Sequence, residues 1–463
     1  MPEGSVITGK KSAVDRLLVL FSDVRAGEGF TALLLMINLF LLLTAYLIIK
    51  TVREALILSE GGAVVKSYAA AAQALLLLVV VPSYGYVASR VHRIKLINGV
   101  TLFFISNLVL FYLLGQLQVP LGVPFFLWVG IFNLLIVAQF WSFANDLYLE
   151  EQGKRLFPII AFGGSFGAIL GPKIAGWLFE PSGPYGLMLM TALLLGVCMV
   201  FSNRVNRRAA HERRNAQRVL DPEKPLGRQG AHKLVLGQPY LLIIAAMMVV
   251  ANLVNTTGEF ILGQKVTEEA KRLAVVEIAN PAGHELSEAA AHAIDQKKMQ
   301  HFIAGFYGDF FFSVSLVSAL LQLLLVSRII KFCGVSGSLF FLPLIALGGY
   351  AFIALTPFLT QIHFAKVIEN STDYSLQNTA RQALFLPTSR EVKYKAKAAI
   401  DTFFVRIGDL LSMGIVFLSV QLSLSTRALS SVNVLMIMVW LFLVFGIGRR
   451  YKILSAAQTR DES

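Results

Sequence analysis

Charged side chains stand inside segments that are otherwise apolar, and their positions define the chemistry open to this chain. Lys50, Arg53 and Glu54 lie in the apolar run that begins near residue 30. Asn145 and Asp146 close the run near 124–148, Asn255 and Glu259 lie in the run near 238–262, and Asp309 falls early in the run near 302–326. The run near 362–387 carries Lys366, Glu369, Asp373, Arg381 and Gln382, and the next carries Asp401, Arg406 and Asp409. An ionisable group inside a bilayer costs about 2.5–3.5 kcal/mol on insertion scales, so such groups line aqueous paths, pair with one another or anchor at the interface. Lys50 and Arg53 share a helix face, and Glu54, four residues from Lys50, could neutralise it and leave Arg53 for an anion. Guanidinium forks bind phosphate and carboxylate oxygens in pairs. The substrate-binding candidates are therefore Lys50, Arg53, Asn145, Asn255 and Arg381. Candidates for gating or proton coupling are Glu54, Asp146, Glu259, Asp309, Asp373, Asp401, Arg406 and Asp409. Fixed ion pairs and interfacial anchoring are the alternative roles for the same groups.

The elements that must position these groups follow from composition. Only 15% of the residues are charged and 56% are hydrophobic, against about a quarter charged in soluble domains. Apolar runs of roughly the 20 residues needed to cross a bilayer recur along the chain. They predict an all-α membrane protein with about twelve spans, near 30–57, 66–88, 97–117, 124–148, 155–178, 184–203, 238–262, 302–326, 335–357, 362–387, 398–422 and 428–448. Charges collect in the first, fourth, seventh, eighth, tenth and eleventh of these. The third, sixth, ninth and twelfth are nearly free of them, as helices facing lipid should be. Lys and Arg are concentrated in the segments of one side, which places both termini in the cytosol by the positive-inside rule, in a bacterial inner membrane. The net charge of +13 then reflects topology and contact with anionic lipid rather than nucleic acid.

This reading divides the chain into a cytosolic amphipathic segment (1–29), a first six-helix bundle (30–203) and a basic cytosolic linker (204–237). A second bundle (238–448) with a helical periplasmic insertion at 264–300 and a cytosolic tail (449–463) follow. Within the first segment, Ser12–Val24 alternates Val14, Leu17, Leu18 and Phe21 with charges and suits a helix lying on the membrane face. The bundles repeat one another in part. Gly85-Tyr-Val-Ala-Ser-Arg90-Val-His-Arg93-Ile-Lys95 follows the second span, and Val326-Ser-Arg328-Ile-Ile-Lys331 follows the eighth. Two six-helix halves in parallel repeat are the plan of the major facilitator fold. The first string resembles that superfamily's loop signature, with Gly85 and the bases Arg90 and Arg93, and Arg328 in the second half, expected to hold neighbouring helix ends. Gly163, Gly164, Gly167 and Gly171 in the fifth span suit close helix packing.

Other chemistry finds no support. Gly4-Ser-Val-Ile-Thr-Gly9-Lys10-Lys11 approaches a phosphate-binding loop, but Lys11 stands where the magnesium-binding hydroxyl belongs. The seven His show no metal spacing, Cys198 and Cys333 are not placed for a disulfide, and no nucleophile set is present. No cofactor, metal or bond-breaking activity is expected.

Longer strings carry a family resemblance. Tyr46-Leu-Ile-Ile-Lys50-Thr-Val-Arg53-Glu54, Phe140-Trp-Ser-Phe-Ala-Asn145, Lys154-Arg-Leu-Phe-Pro158 and Gly308-Asp309-Phe310 resemble, in order, motifs of the ATP/ADP translocases of plastids and intracellular bacteria. Tyr374-Ser-Leu, Arg381-Gln382, Leu386-Pro387 and Lys397-Ala-Ala-Ile-Asp401 continue the series. The resemblance implies a membrane antiporter that exchanges an anionic small molecule, a nucleotide, without hydrolysis, with Arg53 and Arg381 contacting phosphates. The chain departs from the pattern at Val129, where the family has an acid, at Asn255 and Glu259, which reverse its local charge, and at Gln382, again in place of an acid. A proton-coupled carrier of another organic anion and a non-transporting membrane scaffold are the alternatives.

Overall fold

In the computed structural model, the described residues are 13–19, 23–25, 27–148, 150–214, 231–278, 288–388, 392 and 396–461. They form the helices α1 (Ala13–Leu18), α2 (Gly29–Ala88), α3 (Arg93–Gln116), α4 (Gly122–Leu147), α5 (Glu150–Arg214), α6 (Ala231–Gly237), α7 (Pro239–Ile278) and α8 (Glu288–Leu321). Then follow α9 (Ser327–Ser338), α10 (Phe341–Leu355), α11 (Leu359–Thr372), α12 (Asn378–Ala383), α13 (Lys397–Ala399), α14 (Val405–Gln421) and α15 (Thr426–Asp461). No strand occurs among the described residues. Eight of the helical stretches are long and apolar enough to cross a membrane, so the chain is an all-α multi-pass membrane protein. Three of these bend on a single residue: Gly62 (φ 67°, ψ −173°) in α2, Gly183 (φ 63°, ψ 175°) in α5 and Gly334 (φ 70°, ψ 171°) in α9. Only glycine adopts this backbone region without strain, so each glycine joins two rods without a longer loop.

Among the described residues, π-helical segments interrupt the remaining pattern at Gln322–Val326, Asp373–Gln377 and Ile400–Phe404. Such segments are rare and collect at functional sites. Two of them begin at or beside a predicted site carboxylate, Asp373 and Asp401.

The chain divides into two compact units. The first comprises 1–54, 80–221 and 307–312, and the second 55–79, 222–306 and 313–463, so each draws on distant parts of the sequence. In the first unit α5 packs tightly on the first rod of α2. A Cβ at Gly163 would lie 2.3 Å from the Met36 carbonyl oxygen, and one at Gly167 2.3 Å from that of Phe40. In the second unit, a Cβ at Gly408 of α14 would lie 2.7 Å from the Val249 carbonyl oxygen of α7. Large apolar side chains such as Phe103, Leu193, Phe332 and Phe442 are exposed, as lipid contact requires.

Part of the N-terminal segment packs into the protein. Asp15 is buried at 1% exposure, and its carboxylate accepts the backbone N–H groups of Gly27 at 3.2 Å and Gly29 at 2.9 Å. It satisfies donors that open α2 and that no turn of helix can reach. Leu18 and Val24 pack with Ala32, Leu156 and Ile159, so the segment is part of the protein's own core. The expected insertion at 264–300 consists, where described, of extensions of α7 to Ile278 and α8 from Glu288. The phosphate-loop-like string at 4–11, Phe21 and the linker between 215 and 230 lie outside the described residues.

Candidate functional site

Each unit holds a basic centre inside its helices. In the first unit, Arg53 and Glu54 are consecutive on the first rod of α2. Two guanidinium nitrogens of Arg53, Nη2 and Nε, the latter at 3.1 Å, share Glu54 Oε1. Glu54 is 1% exposed and Arg53 14%. Arg53 is thus a partner of Glu54. The same guanidinium lies 4.5 Å from the centroid of the Phe126 ring, and the Lys50 ammonium 4.1 Å from that of Phe311. A ring face steadies a cation without consuming a hydrogen-bond acceptor.

Asn145 and Asp146 occupy the exposed C-terminal end of α4. Arg93, from the loop string, pairs with Asp146 at 2.9 Å and donates to Ser142 at 2.6 Å, tying the start of α3 to the end of α4. Arg90, just past the end of α2, stacks on Tyr86 at 3.7 Å, Arg328 donates to the Leu324 carbonyl one turn back, and a Cβ at Gly85 would meet open space. Of these loop residues, only Arg93 holds another helix among the contacts described. Asp309 pairs with Lys173 at 2.5 Å. Lys173 was legible as a base within an apolar helix, next to Pro172, yet was not among the sequence candidates.

The second unit gathers a denser cluster. Lys366 of α11 is fully buried. Its ammonium donates to Asn255 Oδ1 of α7 at 2.9 Å and lies 3.1 Å from Glu369 and 3.7 Å from Glu259. Glu259 also faces Lys66 of the second α2 rod at 3.9 Å and accepts from Asn370 at 3.1 Å. Gly258 makes room for the cluster: a Cβ there would stand 3.1 Å from Lys366 Nζ and would clash with the Tyr350 hydroxyl. Asn255 and Glu259 thus sit on one face of α7 with Lys366 between them. Lys366 and Glu369 were visible as charges in an apolar run but not as site members, and Lys66 lay at the edge of its run. No signal in one sequence joins these three positions.

Two further pairs stand on the same unit. Arg406 donates to Asp409 at 2.9 Å, and the other carboxylate oxygen accepts from Asn252 at 2.7 Å and Thr256 at 3.1 Å. This carboxylate is fully engaged, the mark of a fixed structural pair. Arg381 differs. It donates to Asn378 at 3.1 Å, while its Nε stands 3.9 Å from Asp401 Oδ1. Both atoms are buried without a hydrogen-bond partner among the described residues. Unsatisfied buried polar atoms cost stability unless water or a ligand reaches them. Asp373, one helical segment before Arg381, is half-buried. Among the described residues no group of His, Cys, Asp and Glu could hold a metal.

Residues 311–451 match the family model "TLC ATP/ADP transporter". "ADP,ATP carrier protein 1" of Chlamydia muridarum is 24% identical over 367 residues, covering 71% of this chain and 65% of the carrier. "ADP,ATP carrier protein 2, chloroplastic" of Arabidopsis thaliana is 21% identical over 307 residues, covering 58% of this chain and 44% of that protein. The match thus spans just under two thirds of the chlamydial relative's length and less than half of the plant one's. Among solved structures, a bacterial homologue of the iron transporter ferroportin superposes with a TM-score of 0.61 at 13% identity, covering 90% of this chain and 98% of that one. The nucleoside transporter NupG does so with a TM-score of 0.59 at 13% identity, covering 91% and 99%. Sequence and architecture together make this chain a multi-pass membrane protein of the major facilitator-like transporter fold, with a TLC ATP/ADP transporter match over residues 311–451.

Proposed function

We propose that the chain is a secondary transporter that exchanges nucleotides of the ATP and ADP type across a bacterial inner membrane by alternating access. The observation that carries this reading is the match of residues 311–451 to the TLC ATP/ADP transporter family, a stretch that includes Lys366, Arg381 and Asp401. The buried basic groups support it. A nucleotide carries several negative charges on its phosphates, and Arg53 and Arg381 offer guanidinium forks that suit them. Arg381 has a buried donor in want of an acceptor. In this reading Lys50, Arg53, Asn145, Asn255 and Arg381 contact substrate, both termini are cytosolic, and the two six-helix bundles (30–203 and 238–448) rock about the bound anion. The pairs at Asp146, Asp309, Asp401 and Asp409 hold or release helix ends. No bond of the substrate is broken.

Counter-exchange in proteoliposomes tests the proposal. Labelled ADP outside should enter only when ATP or ADP is loaded inside, and Arg53→Ala and Arg381→Ala should each abolish the exchange. Undiminished exchange in both variants, or none in the wild type, overturns it. Uptake that needs a pH gradient and no internal nucleotide would instead point to a proton-coupled carrier.

A further inference from the structure

The Lys366 cluster holds two lysines and two glutamates drawn from the second rod of α2, α7 and α11, and its contacts are uneven. Two of them are tight, Asn255 at 2.9 Å and Glu369 at 3.1 Å from the Lys366 ammonium. Glu259 is different. One of its oxygens lies 3.7 Å from Lys366 and the other 3.9 Å from Lys66, each beyond hydrogen-bonding range, and Asn370 donates to it at 3.1 Å. Glu259 therefore bridges two ammonium groups by charge while bonding to neither. It is also the most exposed member: its side chain is 25% exposed, against 0% for Lys366, 8% for Glu369 and 11% for Lys66.

We propose that Glu259 holds, between Lys66 and Lys366, the place that a phosphate oxyanion of the substrate takes, and that the arriving substrate displaces this carboxylate. The proposal rests on the exchanger reading and assigns it a binding site. Two lysines against two glutamates leave the cluster neutral, so an added anion would be uncompensated unless a carboxylate leaves. Glu369 is the wrong one to leave, because it is buried and close to Lys366. Glu259 has the longer contacts and the exposed side. A phosphoryl group presents three acceptor oxygens where a carboxylate presents two, so it can reach both ammonium groups at once and still accept from the Asn370 amide. On departure of the substrate, Glu259 returns and the two lysines are again compensated.

Thermal stabilisation of the purified full chain in neutral detergent, titrated with pyrophosphate and separately with ADP, reads the binding. Glu259→Gln keeps the shape of the side chain and its amide neighbour but removes the competing charge. It should bind pyrophosphate about tenfold more tightly than wild type. Lys66→Gln should bind about tenfold more weakly. Tightening in the first variant supports the proposal, and unchanged or weaker binding there overturns it, whether or not Lys66→Gln folds. A folded Lys66→Gln that binds as wild type does also overturns it. Wild-type protein stabilised by neither ligand overturns the exchanger reading itself, a result distinct from the failure of Glu259 to compete.

Discussion

The two basic centres are neutralised by different means. In the first unit Arg53 takes a carboxylate from the next residue and also lies over the Phe126 ring. In the second, Lys366 takes its partners from α7 and from its own helix, and Glu259 is shared further with Lys66. A pair of chain neighbours survives any shift of helix against helix. A cluster assembled across helices exists only while they keep their register. The second centre is thus the one whose electrostatics can change with conformation, and the first is the one that carries its counter-charge with it.

The strongest way to break this comparison is Lys366→Met. It leaves Glu369 buried without its 3.1 Å partner, and loss of one member of a buried pair costs about 3–5 kcal/mol. Adding Glu369→Leu should recover most of that loss in detergent unfolding, because an apolar replacement of both members removes the stranded charge. Equal instability of the single and double variants would show that Lys366 is not caged by charge.

Glycine substitutions test the scaffold beneath each centre. Gly167→Ala places a Cβ 2.3 Å from the Phe40 carbonyl oxygen, and Gly408→Ala places one 2.7 Å from that of Val249. Each should lower stability by about 1–3 kcal/mol, the first more than the second. Gly176→Ala, with nothing within 4 Å of the added Cβ, should be neutral or slightly stabilising. A Gly167→Ala midpoint no lower than that of Gly176→Ala would deny the close approach of α5 to α2.

Replacing Arg53 by Lys sharpens the first centre. The charge remains, but one ammonium cannot reproduce the two-nitrogen grip on Glu54. Exchange should fall about tenfold, while Glu54→Gln, which keeps an acceptor for Arg53, should cost less. The smallest effect belongs to a partly buried carboxylate of the first unit, Glu28, just before α2. Burial raises its pKa, but hydrogen bonds from Arg155, the Arg25 N–H and Gln152, with the Arg155 charge, hold it below the ordinary value of 4.5. A carboxylate depressed in the folded state contributes stability above its unfolded pKa and loses it as pH falls through the folded one. The thermal midpoint should therefore drop below about pH 4.5, and Arg155→Gln should flatten that part of the profile. A profile unchanged by Arg155→Gln would remove the pair from the account.

Much of the fold was legible. Apolar runs long enough for a bilayer, and charges confined to some of them, are properties of composition along the chain, and hydrophobic thickness acts on them directly. The burial of Asp15 was not legible, because in the sequence it looks like the polar side of a surface helix. It faces inward because Gly27 and Gly29 present N–H groups that need an acceptor, a demand visible only once the chain has turned back on itself. The aromatic company of Lys50, from Phe311, and the ion pair of Lys173 with Asp309 join positions far apart in sequence. Neither is implied by spacing.

The sequence by itself determined that the backbone must be helical within a membrane, because hydrocarbon offers no partner to an open peptide group. It also determined which spans carry charge. Tertiary structure alone decided which charges meet. The bridge of Glu259 between Lys66 and Lys366, and the approach of Arg381 to Asp401 with their buried atoms unbonded among the described residues, depend on side-chain direction and helix register. An ion pair is set by distance in space, to which the order of residues along a chain of separate helices gives no direct measure.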